Sequence, residues 1–71
     1  MKTKTIIDVR SKLEYFMGHK KDAMHFDVNQ LVAGNFPAIP KDAQIEVYCA
    51  SGARSALAKQ LLELAGYSNV C

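Results

Sequence analysis

At 71 residues, 49% of them apolar and 23% charged, the chain is long enough for one small globular unit and too apolar for a disordered segment. A unit of this size buries only ~60% of the surface its unfolded chain exposes, so its core is thin and its margin of stability small. The net charge of +2 is spread along the sequence, and the only basic cluster, Lys20-Lys21 beside His19, reads as solvated lysines and excludes a nucleic-acid footprint.

The start, Met1-Lys2-Thr3-Lys4, passes directly into Thr5-Ile6-Ile7-Asp8-Val9, a mostly β-branched run of the kind that forms a strand covered on both faces. It has no signal-peptide h-region, which leaves cytoplasm and periplasm both open, and no run approaches the ~20 apolar residues of a membrane span. Ser11-Lys12-Leu13-Glu14 fits a capping box, in which Ser11 and Glu14 satisfy each other's backbone donors, and Gly18 is placed to close the helix that follows. Ala23 to Phe26 reads as a second strand. Asp27 and Gln30 repeat the cap pattern ahead of a short helix through Ala33 that Gly34 ends.

Asn35 to Pro40 holds both prolines and is a connecting loop, after which Gln44-Ile45-Glu46-Val47-Tyr48 is a third, clearly β-prone run. Ser55 to Ala65 carries Leu57, Ala58, Leu61, Leu62 and Ala65 at helical spacing and stops at Gly66. Asn69-Val70-Cys71 begins a last strand. Strands alternating with helices predict right-handed βαβ units and an α/β fold with a parallel sheet, and the order of the motifs along the chain motivates the sheet order 2-1-3-4 with Cys49 at the carboxyl end of the third strand. There is no internal repeat, linker or low-complexity tract.

The chemistry concentrates in Tyr48-Cys49-Ala50-Ser51-Gly52-Ala53-Arg54-Ser55, between a strand end and a helix start. Backbone N–H groups converge there and the helix dipole favours an anion, so a thiol at that point ionises readily. Small residues at 50 to 53 let the loop curl around the sulfur, Gly52 permits a turn that other residues resist, and Arg54 adds positive charge. A buried structural cysteine is the competing reading for Cys49 alone; strand, glycine, arginine and helix arriving together favour the reactive one.

The loop Cys49-Ala50-Ser51-Gly52-Ala53-Arg54-Ser55 resembles the Cys-x-x-Gly-x-Arg-Ser active-site loop of single-domain rhodaneses. Ile7-Asp8-Val9-Arg10, Glu14-Tyr15 and Gly18-His19 are similar to the upstream Asp-Val-Arg, Glu-Tyr and Gly-His pattern of that family, and Ala65-Gly66-Tyr67 with Asn69-Val70 to its stretch after the active-site helix. The early start at the Asp-Val-Arg strand resembles the short phage-shock-protein E type. The resemblance implies one rhodanese-like domain over residues 1–71, a three-layer fold with a small parallel sheet flanked by helices. It also implies a thiosulfate sulfurtransferase in which Cys49 carries the sulfur as a persulfide. The donor would be a small sulfur anion such as thiosulfate and the acceptor cyanide or a thiol, held by Ala50, Ser51, Gly52, Ala53, Arg54 and Ser55, with no cofactor and no metal.

Two departures carry expectations. Lys20-Lys21-Asp22-Ala23 stands where the family commonly has Ile-Pro-Gly-Ala, so the approach to the second strand is expected to differ. Members usually continue past the last strand with a Gly-Gly segment and a further helix; the sequence ends at Cys71, so apolar surface is expected on one face of the sheet, inviting self-association. Asp8 and Arg10 are expected to form a structural ion pair. Two rivals remain at this point, a non-catalytic rhodanese-like interaction module and a cysteine phosphatase or arsenate reductase. Loops of the latter kind resemble Cys-x5-Arg, whereas four residues separate Cys49 from Arg54. His19, His25, Cys49 and Cys71 have no recognised metal-ligand spacing, and Cys71 reads as a bystander.

Overall fold

In a computed structural model of the chain, residues 4–50 and 52–71 are described. Seven elements follow the predicted alternation: β1 (Thr5–Asp8), α1 (Lys12–Phe16), β2 (Met24–His25), α2 (Val28–Val32), β3 (Gln44–Tyr48), α3 (Ala53–Leu64) and β4 (Asn69–Val70). All three pairings are parallel and the sheet order is β2-β1-β3-β4, as the sequence predicts. β1 and β3 run side by side from Thr5 opposite Ile45 to Asp8 opposite Tyr48.

Both capping boxes form. Ser11 accepts from the Glu14 N–H while Glu14 accepts from the Ser11 N–H, and Asp27 and Gln30 cap α2 in the same reciprocal way. The second strand is shorter than Ala23 to Phe26, because only Met24 and His25 pair with Ile7 and Asp8 before Asp27 turns the chain into α2. β4 is equally brief, although Cys71 extends its ladder by donating to Ile45 O at 2.9 Å and accepting from the Val47 N–H at 3.1 Å.

Right-handed crossovers on this strand order carry α2 and α3 over one face of the sheet and α1 over the other. The first face holds the core. Ile7, Val9 and Ile45 from the strands meet Val28 and Leu31 of α2 and Ala58 and Leu62 of α3, with Tyr67 and Val70 closing the end. Each fully buried leucine removes enough apolar surface from water to stabilise the fold by about 2 kcal/mol. Tyr67 is buried with its hydroxyl donating to Pro37 O at 2.6 Å, which ties the proline loop to the end of α3.

The opposite face is finished with polar groups. Glu46 of β3 is bridged by Lys4 at 3.1 Å and Lys20 at 3.3 Å, and the Tyr48 ring lies under Arg10 and Lys20. The expected apolar exposure is therefore found elsewhere. Among the described residues the large exposed apolar side chains are Leu13, Phe16 and Met17 in and just after α1, Val32 on α2, and Leu57 and Leu64 on α3. Charged side chains reaching over β3 cover that part of the face.

The approach to β2 is a tight turn, Lys20 to Ala23, closed by the Ala23 N–H donating to Lys20 O at 3.0 Å. Asp22 has φ of 64° and is the one non-glycine at positive φ among the described residues. With Lys21 at negative φ, this is the pattern of a type II turn, whose third position favours glycine.

Candidate active site

Cys49 follows β3 at the carboxyl edge of the sheet, beside the point where the crossovers from β1 and β3 leave on opposite faces. The chain then turns through Gly52, whose φ of 83° is left-handed, and enters α3 at Ala53. Gly52 is the N-cap and has no side chain to satisfy the first turn of the helix. The sulfur takes that role: Cys49 Sγ accepts from the Gly52 N–H at 2.9 Å and from the Ser55 N–H at 3.2 Å. This explains why α3 starts two residues before the predicted Ser55. The signal for its start is the Cys49 sulfur, six positions before the Ser55 amide that it accepts from and outside any local capping pattern.

Ser55 Oγ donates to Gly52 O at 2.9 Å and the Ala56 N–H donates to the same carbonyl at 3.0 Å, so the turn is cross-braced. Cys49 is half-buried, while Ala50, Gly52 and Ala53 are exposed around it. Two donors on one sulfur, at the positive end of a twelve-residue helix, favour negative charge on that atom. Of the residues expected to hold a donor, Gly52 and Ser55 aim their amides at the sulfur, and Ala53 and Arg54 lie between them in the first turn of α3. Ser51 falls outside the described residues.

Arg54 is turned to a partner that the sequence reading missed. Its Nη1 donates to Glu14 Oε1 at 2.6 Å and its Nη2 to Glu14 Oε2 at 3.1 Å, a two-pronged pair between the start of α3 and the first turn of α1. Arg54 holds the Glu14 carboxyl at about 2, helped by the hydrogen bonds with Ser11. In return Glu14 raises the Arg54 guanidinium, with smaller contributions from the charges of Cys49 and Asp27. The glutamate is legible as half of a capping box and as part of the Glu-Tyr pattern, but not as the partner of Arg54, because a contact spanning 40 positions leaves no local pattern.

Asp8 and Arg10 form the expected structural pair. Arg10 donates from Nε and Nη2 to Asp8, with Nη2 at 2.8 Å, and the same Nη2 reaches Gly18 O at 2.6 Å, pinning the end of α1 to β1. Burial pushes the Asp8 carboxyl up, but the hydrogen bonds and charge of Arg10 outweigh it and leave it lowered. His19 and His25 both lie against the Tyr15 ring, with centroids 3.8 Å and 4.7 Å away. Cys71 Sγ sits at the other end of β3, 3.5 Å from Ile45 O.

The model of the rhodanese-like domain matches residues 1–71. The chain belongs to the rhodanese-like family. Over 65 residues it is 35% identical to a protein named sulfurtransferase from Allochromatium vinosum, a match covering 92% of this chain and 60% of that protein. The rhodanese-like chain thus spans about three fifths of that relative. A rhodanese-like domain of an Anabaena protein superposes with a TM-score of 0.86 at 34% identity, covering 96% of this chain and 78% of that one. A rhodanese from E. coli, solved with anions, gives 0.80 at 30% identity over 96% and 81% of the two chains.

Proposed function

We propose that this rhodanese-like chain is a sulfurtransferase that carries sulfur on Cys49. What carries this reading is the pair of backbone hydrogen bonds received by Cys49 Sγ at the first turn of α3. An atom held by amides at a helix N-terminus is suited to bear negative charge before, during and after attack. The sulfurtransferase name of the A. vinosum relative supports the same chemistry.

The proposed cycle has two displacements. The Cys49 thiolate attacks the outer sulfur of thiosulfate, forming a new S–S bond while the bond to the sulfonate breaks and sulfite leaves with its electron pair. The persulfide, an anion one atom longer, remains within reach of the loop amides. A nucleophilic acceptor, cyanide or a thiolate, then attacks the outer sulfur, leaves as thiocyanate or a new persulfide, and returns Cys49 as thiolate. Atoms and electrons balance without any cofactor. The four-residue spacing from Cys49 to Arg54 makes a loop tighter than the Cys-x5-Arg type that holds phosphate, which favours sulfur over phosphoryl transfer.

Intact-mass analysis after exposure to thiosulfate tests this reading. The chain should gain the mass of one sulfur atom, keep that gain in Cys71→Ser, lose it in Cys49→Ser, and release it to cyanide as thiocyanate. Gain at Cys71 alone, or no gain from thiosulfate or from a low-molecular-weight persulfide, would refute it.

A further inference from the structure

Glu14 stands outside every step of the proposed cycle, yet its carboxylate is tied to the first turn of α3 as well as to the cap of its own helix. Its Oε1 accepts from Arg54 Nη1 at 2.6 Å and from the Ser11 N–H at 3.0 Å, and its Oε2 accepts from Arg54 Nη2 at 3.1 Å. One carboxylate thus joins the N-terminus of α1 to the N-terminus of α3. Arg54 precedes Ser55, whose amide donates to the sulfur. The charge of Cys49 contributes to raising the Arg54 guanidinium, and such coupling is reciprocal, so the placement of Arg54 bears on the thiolate.

We propose that Glu14 is a positioning residue for Cys49, fixing the Arg54 guanidinium and tempering its charge. The proposal deepens the sulfurtransferase reading and rests on it for its meaning in the reaction. An Arg54 without a partner would present a full positive charge to the loop; paired in two-pronged fashion with Glu14 it presents a near-neutral dipole. Stabilisation of the thiolate then falls mainly to the Gly52 and Ser55 amides. This matters because a thiolate that is stabilised too far loses nucleophilicity along with basicity. Among the described residues, the charged and titratable groups that act on Arg54 include Glu14 from α1, Asp27 at the N-cap of α2, and Cys49 itself.

The test reads Cys49 alone, as the rate of alkylation by iodoacetamide against pH, using the full chain carrying Cys71→Ser. Glu14→Gln should move the midpoint of the profile to lower pH by about half a unit, since Arg54 is then unopposed. Arg54→Gln should move it upward, and Glu14→Gln added to Arg54→Gln should move it down by clearly less than it does alone, since only the direct charge of Glu14, and no repositioning of a guanidinium, is then lost. Ser11→Ala, which removes the other half of the capping box, should lower thermal stability and leave the profile in place. An unmoved midpoint in Glu14→Gln would overturn the proposal, as would the same shift appearing when Arg54 is already Gln. If Glu14→Gln does not fold, Glu14→Asp, too short to hold both prongs, should give a smaller downward shift, and no shift there would equally overturn it. Alkylation needs no sulfur donor. Shifts as expected in a chain that takes up no sulfur would therefore uphold the role of Glu14 while removing the sulfurtransferase reading.

Discussion

Asp8, closed off from solvent in β1, is gripped through both carboxylate oxygens by Arg10 two residues later, and the same guanidinium holds the Gly18 carbonyl after α1. Losing one member of a buried pair leaves the other uncompensated, so Asp8→Asn should destabilise the protein by about 3 kcal/mol. In a domain of this size the thermal midpoint should fall by at least about 10 °C. Thermal unfolding followed by circular dichroism checks this, and an unchanged midpoint would show that the pair adds nothing to the fold.

Asp8, Glu14 and Glu46 are all held below their ordinary carboxyl range, Asp8 against its own burial and the two glutamates by Arg54 and by Lys4 with Lys20. Each group binds a proton more readily in the unfolded chain than in the folded one. Their contribution is therefore complete above the ordinary carboxyl range and is lost as pH falls from that range toward about 2, where Glu14 titrates in the fold. Urea midpoints measured between pH 7 and pH 2 should hold steady first and then decline through the acid window. A decline that begins well above pH 5 would point to another group.

Much of this fold is written in short-range signals. Ser11 with Glu14 and Asp27 with Gln30 are pairs three residues apart, each satisfied within one turn, and the β-branched runs of β1 and β3 have few alternatives to a covered strand. The parallel pairing follows from alternation and handedness, while the strand order and the place of Cys49 were legible from the order of the motifs along the chain. What could not be read is what depends on distant partners. The Arg54 guanidinium reads from sequence as a charge available to a donor because Glu14 is brought to it only by folding, and the start of α3 lies earlier than its local pattern suggests because its cap is a sulfur just after the preceding strand. Leu57 fits the apolar helical spacing but remains 43% exposed, since the sheet is narrow and Ala58 and Leu62 already fill the contact.

The exposed apolar residues of α1 contribute little to the folded core. Phe16 is 84% exposed and Met17 81%, so Phe16→Lys should alter stability by less than about 0.5 kcal/mol. It should also reduce binding of a hydrophobic dye and any self-association seen by sedimentation. A marked fall in unfolding midpoint would show that Phe16 packs on something it does not touch here.

Gly52 couples backbone conformation to the sulfur. A methyl group at its Cβ position would meet nothing within 4 Å, so Gly52→Ala costs only the strain of holding φ at 83°, about 1 kcal/mol. Relief of that strain swings the amide off Cys49 Sγ. Sulfur loading from thiosulfate should slow by roughly tenfold, the kinetic equivalent of losing one hydrogen bond to the developing anion. Stopped-time mass spectrometry can follow it, and a variant that loads at the parent rate would show that this amide is dispensable.

Asp22 offers the opposite case, a strained position with no partner role in the site. It occupies the third position of the turn from Lys20 to Ala23 at φ of 64°, where glycine is at ease and aspartate is only tolerated. Asp22→Gly trades relief of left-handed strain against a more flexible unfolded chain, and a gain of about 0.5 kcal/mol is expected. Lys21→Pro presets the second position of the same turn and should add a similar amount, because Lys21 is at negative φ and the closing hydrogen bond uses the Ala23 N–H and the Lys20 carbonyl, leaving the Lys21 N–H out of the turn. The double change should therefore raise the thermal midpoint by a few degrees, about 4 °C or more, without altering Cys49 alkylation, since Lys20 keeps its place on Glu46. A midpoint that falls would mean the turn is not of the type that its hydrogen bond and the sign of φ at Asp22 indicate.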